Sequence, residues 1–359
     1  MTAEAQARAA RAKALALETG FDLAGVASAD APRELAFFAE WIARGYAGEM
    51  SYLTAQAARR GDARAAFPWA RSLLCVALQY DTPAPYSTAA EPGRGWIARY
   101  AWGDDYHDVL KGLLERLRAR LLEELGPFES RVYVDTGPIV ERAYAAAAGI
   151  GAWGKNTCLL HPEHGSWFFL GEVVTALEMA PDAPQPDLCG SCTACLDACP
   201  TGALPAPYLL DATRCISYLT IERRGSIPEA QREGIGRHVF GCDICQDVCP
   251  WNRRRRHRGA AAFEPRPGLQ APDLVELAGM GDEAYRERFR RSPLKRAKRR
   301  GLLRNVAVAL GNGGDPRHLP VLRRLAADPD PIVQEHARWA ARRLEARARG
   351  EGEPAPDRR

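Results

Sequence analysis

Eight of the ten cysteines, all between positions 189 and 249, constrain this chain more than any other feature. Cys189, Cys192, Cys195 and Cys199 are followed by Pro200, which gives a C-x2-C-x2-C-x3-C-P run. Bacterial ferredoxins use that spacing to wrap three thiolates around one [4Fe–4S] cube and send the fourth to a neighbouring cube. A second group, Cys242, Cys245 and Cys249-Pro250, follows, with Cys215 between. The usual crossover places one cluster on Cys189, Cys192, Cys195 and Cys249, and the other on Cys199, Cys215, Cys242 and Cys245. Structural zinc also uses CxxC pairs, but it has no need of the full run. A C-x3-C-x2-C triplet, the radical-SAM pattern, is absent. Cys75 and Cys158 lie in apolar, strand-like contexts and read as core residues. Two clusters conduct electrons; the chemistry they serve has to reside elsewhere in the chain.

With 359 residues, 46% of them hydrophobic, there is room for two or three domains and a large core. No apolar run approaches the roughly 18 to 20 residues of a membrane span. The first twenty residues carry Glu4, Arg8, Arg11, Lys13 and Glu18, which is unlike a signal-peptide core. A cytoplasmic protein with no membrane contact is expected, and cysteines there serve as ligands rather than cross-links. The formal charge of +4 is uneven, because Arg253–Arg304 holds 16 Lys/Arg against 6 Asp/Glu, leaving −6 for the rest. Two basic runs, Arg253–Arg256 with Arg258 and Lys295–Arg300, bracket this segment. Such a segment is the footprint of a polyanion-binding surface, with Arg254, Arg255, Lys295, Arg296, Lys298 and Arg299 as candidate contacts.

Helices alternate with strands over the first 180 residues. Residues 3–19 read as a helix stopped by Gly20, 22–28 as a strand, and 72–79 (SLLCVALQ) as a strand buried on both faces. Leucines at helical spacing mark a helix over 105–125, ended by Gly126-Pro127. A strand over 131–135, a helix over 139–148 and two strands, 167–170 and 173–177, complete an α/β domain over 1–180. A Pro/Asp-rich break, 181–186, precedes a ferredoxin-like double-cluster domain over 181–260. Residues 261–350 combine the basic segment with helices over 302–310, 319–327 and 333–344, a HEAT-like repeat region. A disordered tail is expected over 351–359.

Several local motifs lack the context that would give them meaning. Gly149-x-Gly151-x-x-Gly154 matches a dinucleotide fingerprint but follows a helix and precedes no helix. Asp105-Tyr106-His107 begins like the D-x-H-x-x-G motif that offers histidine to cobalt, but position 110 is Leu. Asp135 closes a strand, where α/β folds place active sites, although a capping role fits the same position. Lys155 and Asn156 are polar residues between apolar segments, and His161 and His164 read as a solvated loop.

Together these parts resemble the epoxyqueuosine reductases. The likeness is carried by Arg99-Tyr-Ala-Trp-Gly-Asp-Asp-Tyr-His107, Val134-Asp-Thr-Gly-Pro138, Gly151-Ala-Trp-Gly-Lys-Asn-Thr157 and Gly165-Ser-Trp-Phe-Phe-Leu-Gly171. Cys215-Ile-Ser-Tyr-Leu-Thr-Ile-Glu222 and Gly241-Cys-Asp-Ile-Cys-Gln-Asp-Val-Cys-Pro-Trp-Asn252 extend it through the cysteine region. The resemblance implies a cobalamin held base-off in the α/β domain, with no protein histidine on cobalt, and Arg60, Asp135, Lys155, Asn156, Ser217 and Asp243 as contacts. It implies that electrons from an external donor, such as a flavodoxin or ferredoxin, pass through the clusters to cobalt. Reduced cobalt then attacks the epoxide-bearing ring, Asp135 protonates the leaving oxygen, and loss of water leaves queuosine at the wobble position of tRNA. For Asp135 to carry a proton near neutral pH, burial beside the corrin would have to raise its pKa. Ala98 stands where some family members carry a cysteine. A monomer acting on the anticodon stem-loop is expected. The alternative is a cobalamin-dependent reductive dehalogenase, which shares the domains but usually carries an export signal and lacks a basic repeat tail.

Overall fold

The structure, a computed structural model, describes residues 2–253 and 259–351. Its strands are β1 (Leu23–Ser28), β2 (Ser72–Gln79), β3 (Trp96–Ile97), β4 (Ser130–Tyr133), β5 (Ala152–Trp153), β6 (Leu159–Leu160), β7 (Phe168–Thr175) and β8 (His238–Phe240). Four of them form the main sheet in the order β1-β2-β7-β4. Every pairing in that sheet is antiparallel. The alternation of strands and helices is therefore present without the parallel strands it usually brings, and the rule locating sites at parallel strand ends does not apply here.

The alternating residues of β2 divide between two cores. Leu74, Val76 and Leu78 face helices Ala3–Thr19 and Tyr106–Leu125, while Leu73, Cys75 and Ala77 face helix Glu141–Ala147. A strand covered on both sides explains the unbroken apolar run 72–79, all of it buried. Where two strands were expected over 167–177 there is one, β7, continuous through Gly171. Gly171 does not break it; a Cβ there would stand 2.9 Å from Leu114, so the glycine admits helix Tyr106–Leu125 to the sheet. Gly149 and Gly151 lead into the β5–β6 hairpin, not into a nucleotide-binding helix.

Helices Lys298–Gly313, Leu319–Leu325 and Pro331–Ala348 form the C-terminal core, joined by Ile216, Leu219, Val239 and Phe240 from the cysteine region. Ile97, Ala101 and Trp102 also enter that core, and β3 pairs with β8. Buried Arg304 locks the junction, donating to the carbonyls of Arg223, Gly225 and Leu219 at 2.7–2.8 Å. Asn305 adds bonds to the Thr220 and Val239 carbonyls at 2.8 and 2.9 Å. The Arg254 and Arg255 expected at the polyanion surface lie outside the described residues, as does the tail beyond residue 351. Among the described residues no helix is long and apolar enough to cross a membrane.

One close approach gives a test of this packing. A Cβ on Gly25 of β1 would fall 2.0 Å from the carbonyl oxygen of Ala148, which is backbone and cannot swing aside. Gly25→Ala should cost about 3 kcal/mol or more. A melting temperature equal to that of the parent would show that sheet and helix are less tightly apposed.

Candidate active site between the sheet and the cysteine loops

The structure collects the eight cysteines into two cavities. The first, of about 240 Å³, is lined by Cys189, Cys192, Cys195 and Cys249. The second, of about 360 Å³, is lined by Cys199, Cys215, Cys242 and Cys245 and runs on to Asp135. Each motif thus lends one thiol to the other's cavity. Among the described residues no three donors converge as around a single metal ion; the thiols ring a space instead. Burial raises the pKa of Cys195 to about 11 and pushes those of Cys215, Cys242 and Cys249 upward. Such thiols become thiolates when iron supplies the compensating charge. Backbone N–H groups of Lys155 and Ala203 already point at the sulfurs of Cys189 and Cys199, at 3.4 and 3.3 Å. This donor set fits iron–sulfur cubes.

Lys155 and Asn156 hold the cysteine loops from the sheet side. The Lys155 ammonium donates to the carbonyls of Gly190 and Cys192 at 2.6 and 2.9 Å. It lines the first cavity, not the one reaching Asp135. Asn156 lines both, and its amide donates to the Cys245 carbonyl at 3.3 Å. Ser217 and Asp243 line the second cavity, whereas Arg60 lines neither. Arg60 is buried, donates through Nη1 to the Ile139 carbonyl at 3.2 Å, and has no partner for Nε. Cys75 is a core residue of β2, but Cys158 is more than that: it lines the second cavity and hydrogen-bonds Cys245.

Away from its thiols the second cavity is walled by Tyr80, Tyr100, Tyr106, Phe168 and Phe169, and no histidine stands among its described lining residues. Tyr106 stacks on Phe169 with centroids 4.4 Å apart. Flat aromatic walls, with the polar side chains of Asn156, Ser217 and Asp243 at their edge, fit a large planar cofactor with polar substituents.

Asp135 adopts φ +58, a left-handed conformation rare for a residue with a side chain. Its N–H donates to Glu141 Oε1. Its Oδ2 accepts from Tyr106 Oη at 2.9 Å and lies 3.5 Å from His107 Nε2. The expectation of a raised pKa fails. Desolvation pulls the Asp135 carboxyl up, but the bonds from His107 and Tyr106 outweigh it and leave the group below the ordinary aspartate value. Protons are held by its neighbours instead. Burial and the charge of Asp135 push Glu141 up to about 8. Burial lowers His107, but its bonds to Asp105 and Asp135 outweigh that and raise it to about 9. Sequence reasoning set Asp105-Tyr106-His107 aside for want of a glycine, yet Tyr106 and His107 both reach Asp135 and Asp105 holds His107; their place in the phrase 99–107 was the available signal.

The basic residues are partly engaged within the fold. Arg296 forks onto Glu222 at 3.0 and 2.9 Å. Arg299, expected at the surface, is drawn inward onto Asp328 and the Met280 carbonyl, each at 2.9 Å. Lys295 meets buried Asp105 at 2.6 Å, and Lys298 is exposed.

Aromatic-walled space joined to two ferredoxin-type thiol cages defines an iron–sulfur oxidoreductase. A family model described as "4Fe-4S double cluster binding domain" matches residues 188–252, and one described as "Epoxyqueuosine reductase QueG, DUF1730" matches residues 60–136. The epoxyqueuosine reductase of Pseudomonas aeruginosa is 42% identical over 91% of both chains, and that of Escherichia coli 36% identical over 94% of this chain and 90% of the other. The chain belongs to the epoxyqueuosine reductase family. A crystal structure of epoxyqueuosine reductase with an epoxyqueuosine-modified tRNA-Tyr stem loop superposes with a TM-score of 0.84, at 34% identity and covering 95% of this chain and 91% of that one. A Bacillus subtilis epoxyqueuosine reductase structure, described as having its catalytic aspartate loop swung out of the active site, gives 0.83 at 33% identity over 93% and 90%.

The clamp on the first cage is open to test. Lys155→Met keeps the stem but removes both carbonyl contacts, so the purified protein should hold about half the iron of the parent. Full iron with unchanged sensitivity to chelators would show that the Cys189 loop does not depend on this lysine.

Proposed function

We propose that the chain reduces epoxyqueuosine to queuosine at the wobble position of tRNA, as the last step in forming that nucleoside. Family membership and the run of cavity from the second thiol cage to Asp135 carry this reading. In it, Cys189, Cys192, Cys195 and Cys249 hold one [4Fe–4S] cluster, and Cys199, Cys215, Cys242 and Cys245 hold the other. Tyr80, Tyr100, Tyr106 and Phe169 would hold the cobalamin, which would supply the nucleophilic, electron-rich metal for the reduction. Ser217 and Asp243 border its space, and Asn156 sits between it and both cages. Arg60 serves an anionic or amide edge of the cofactor.

Converting an epoxide to an alkene consumes two electrons and two protons and releases water. Asp135 is the group placed to pass a proton to the departing oxygen. Its low pKa makes it a relay rather than a store: it gives up a proton readily and regains one from His107 or Glu141, which stay protonated at neutral pH. Its neighbours hold the carboxyl in one orientation, and the left-handed backbone turns it toward the cavity.

The reading places tRNA on the basic side of the molecule. Arg296 and Lys298 are exposed there, with Arg224 and Arg300 beside them; Arg254 and Arg255, outside the described residues, remain proposed contacts on charge alone. The C-terminal helices serve as a HEAT-like platform over 261–350, behind a cofactor domain over 1–180 and a double-cluster domain over 181–260. A cytoplasmic monomer fed by a flavodoxin or ferredoxin completes the assignment. The dehalogenase alternative is not favoured, since the chain belongs to the epoxyqueuosine reductases.

Two measurements bear on this. Cys192→Ala and Cys245→Ala should each remove one cluster and abolish turnover; activity with full iron in both would end the two-cluster assignment. Asp135→Asn should retain clusters and cobalamin and still pass electrons to cobalt, while queuosine formation falls about 10²-fold or more. Near-normal turnover would leave Asp135 as a turn residue only.

A further inference from the structure

A line of polar contacts runs from the basic surface to the active site. Lys295 Nζ lies 2.6 Å from Asp105 Oδ2. Asp105 Oδ1 lies 2.8 Å from His107 Nδ1, and His107 Nε2 lies 3.5 Å from Asp135 Oδ2. The middle of this line is sealed and its outer end is open: the side chain of Asp105 is 2% exposed and that of Lys295 58%. An incoming phosphate can therefore reach the ammonium of Lys295 but not the carboxylate behind it.

Asp105 has more than one task. It caps helix Tyr106–Leu125, accepting from the His107 N–H at 3.2 Å, and it is shared by an ammonium on one side and an imidazole on the other. Whatever draws Lys295 outward leaves more of the carboxylate's field on His107. We infer that Lys295, Asp105 and His107 couple docking of the tRNA backbone to the proton that Asp135 spends, with Asp105 as a positioning residue. A phosphate on Lys295 strengthens the hold of Asp105 on the His107 proton, so the imidazole stays charged to higher pH when substrate is in place. The inference deepens the proposed function and rests on its tRNA reading.

The surroundings of His107 agree in sign. Asp105 in its own turn and Asp135 beyond β4 both favour the imidazolium; Tyr106 stacks on the ring at 4.1 Å. Glu141 faces the same group from its helix, and Arg142 acts on Asp135. Lys295, arriving from segment Pro293–Ala297, is the cation that shares Asp105. With His107 titrating at about 9 in the free protein, any further rise on docking appears as proton uptake near that pH.

The test measures proton uptake when the cluster-loaded protein binds an anticodon stem-loop, by titration calorimetry at about pH 9 in buffers of different ionisation enthalpy. A shift of one unit gives uptake of about half a proton per complex. The parent should show it. Lys295→Met, which removes the ammonium, and His107→Gln, which removes the titrating ring, should lose it. Asp105→Asn should lose it too while still capping the helix, and its turnover should decline with rising pH at least about one unit earlier than in the parent. Uptake that survives in Asp105→Asn and His107→Gln comes from another group, and that result overturns the coupling. Binding by the parent with no uptake also overturns it, while leaving the tRNA reading in place. If no stem-loop binds and no queuosine forms, the tRNA reading fails and takes the coupling with it.

Discussion

The placement of Arg99 is the constraint on which the active site depends. Its side chain is 1% exposed, yet its guanidinium donates to the carbonyls of Thr82 and Ala84 at 2.6 and 3.0 Å and lies 3.6 Å from Asp81. Trp102, Trp167 and Tyr86 cover it, with ring centroids 4.6–5.3 Å away. Its own N–H is taken by Asp243 at 2.5 Å, between two cysteines of the second motif. One residue therefore ties the end of β2 to the second thiol cage. A buried cation is tolerated because its charge is met by a carboxylate, carbonyl dipoles and aromatic faces. The cavity between sheet and cage has the width this tie allows.

The legible parts of the sequence were those where one physical cause acts locally. Helix Ala3–Thr19 ends at Gly20 with φ +111, and the leucine stripe over 106–125 names its own buried face. The grouping of the cysteines followed from spacing, because a cube imposes nearly the same loop on any chain. The direction of strand pairing was not legible, because a helix between two strands permits either direction once a chain segment returns on the far side. Gly171 read as a break because its role depends on Leu114, some 57 positions away in sequence. The charge state of Asp135 was hidden for a similar reason: it is decided by His107 and Tyr106, which only the fold brings near it.

In the proposed reaction the acid and its store are separate groups. A carboxyl in an apolar pocket keeps its own proton; here hydrogen bonds stabilise the carboxylate of Asp135, and Glu141 and His107 hold protons on either side. Behind Glu141 lies buried Glu172, whose pKa burial and the charges of Glu141 and Asp135 raise well above the usual value. That arrangement keeps negative charge scarce beneath the aromatic wall, where Glu141 and Glu172 hold protons while Asp135 is ionised.

The exchange of thiols between the two motifs has a consequence for how the protein matures. Cys199 leaves the first run for the second cavity, and Cys249 leaves the second run for the first. About fifty residues separate them, including the helix Ile216–Ile221 that Arg304 and Asn305 pin to the C-terminal core. The first cage cannot close until the chain has been made past residue 249, nor the second until it has been made past residue 245 and that intervening stretch has docked. Closure of both cages thus waits on folding of the intervening stretch rather than following each motif as it is made. A chain arrested between residues 215 and 242 holds three thiols of one cage and two of the other, and can complete neither.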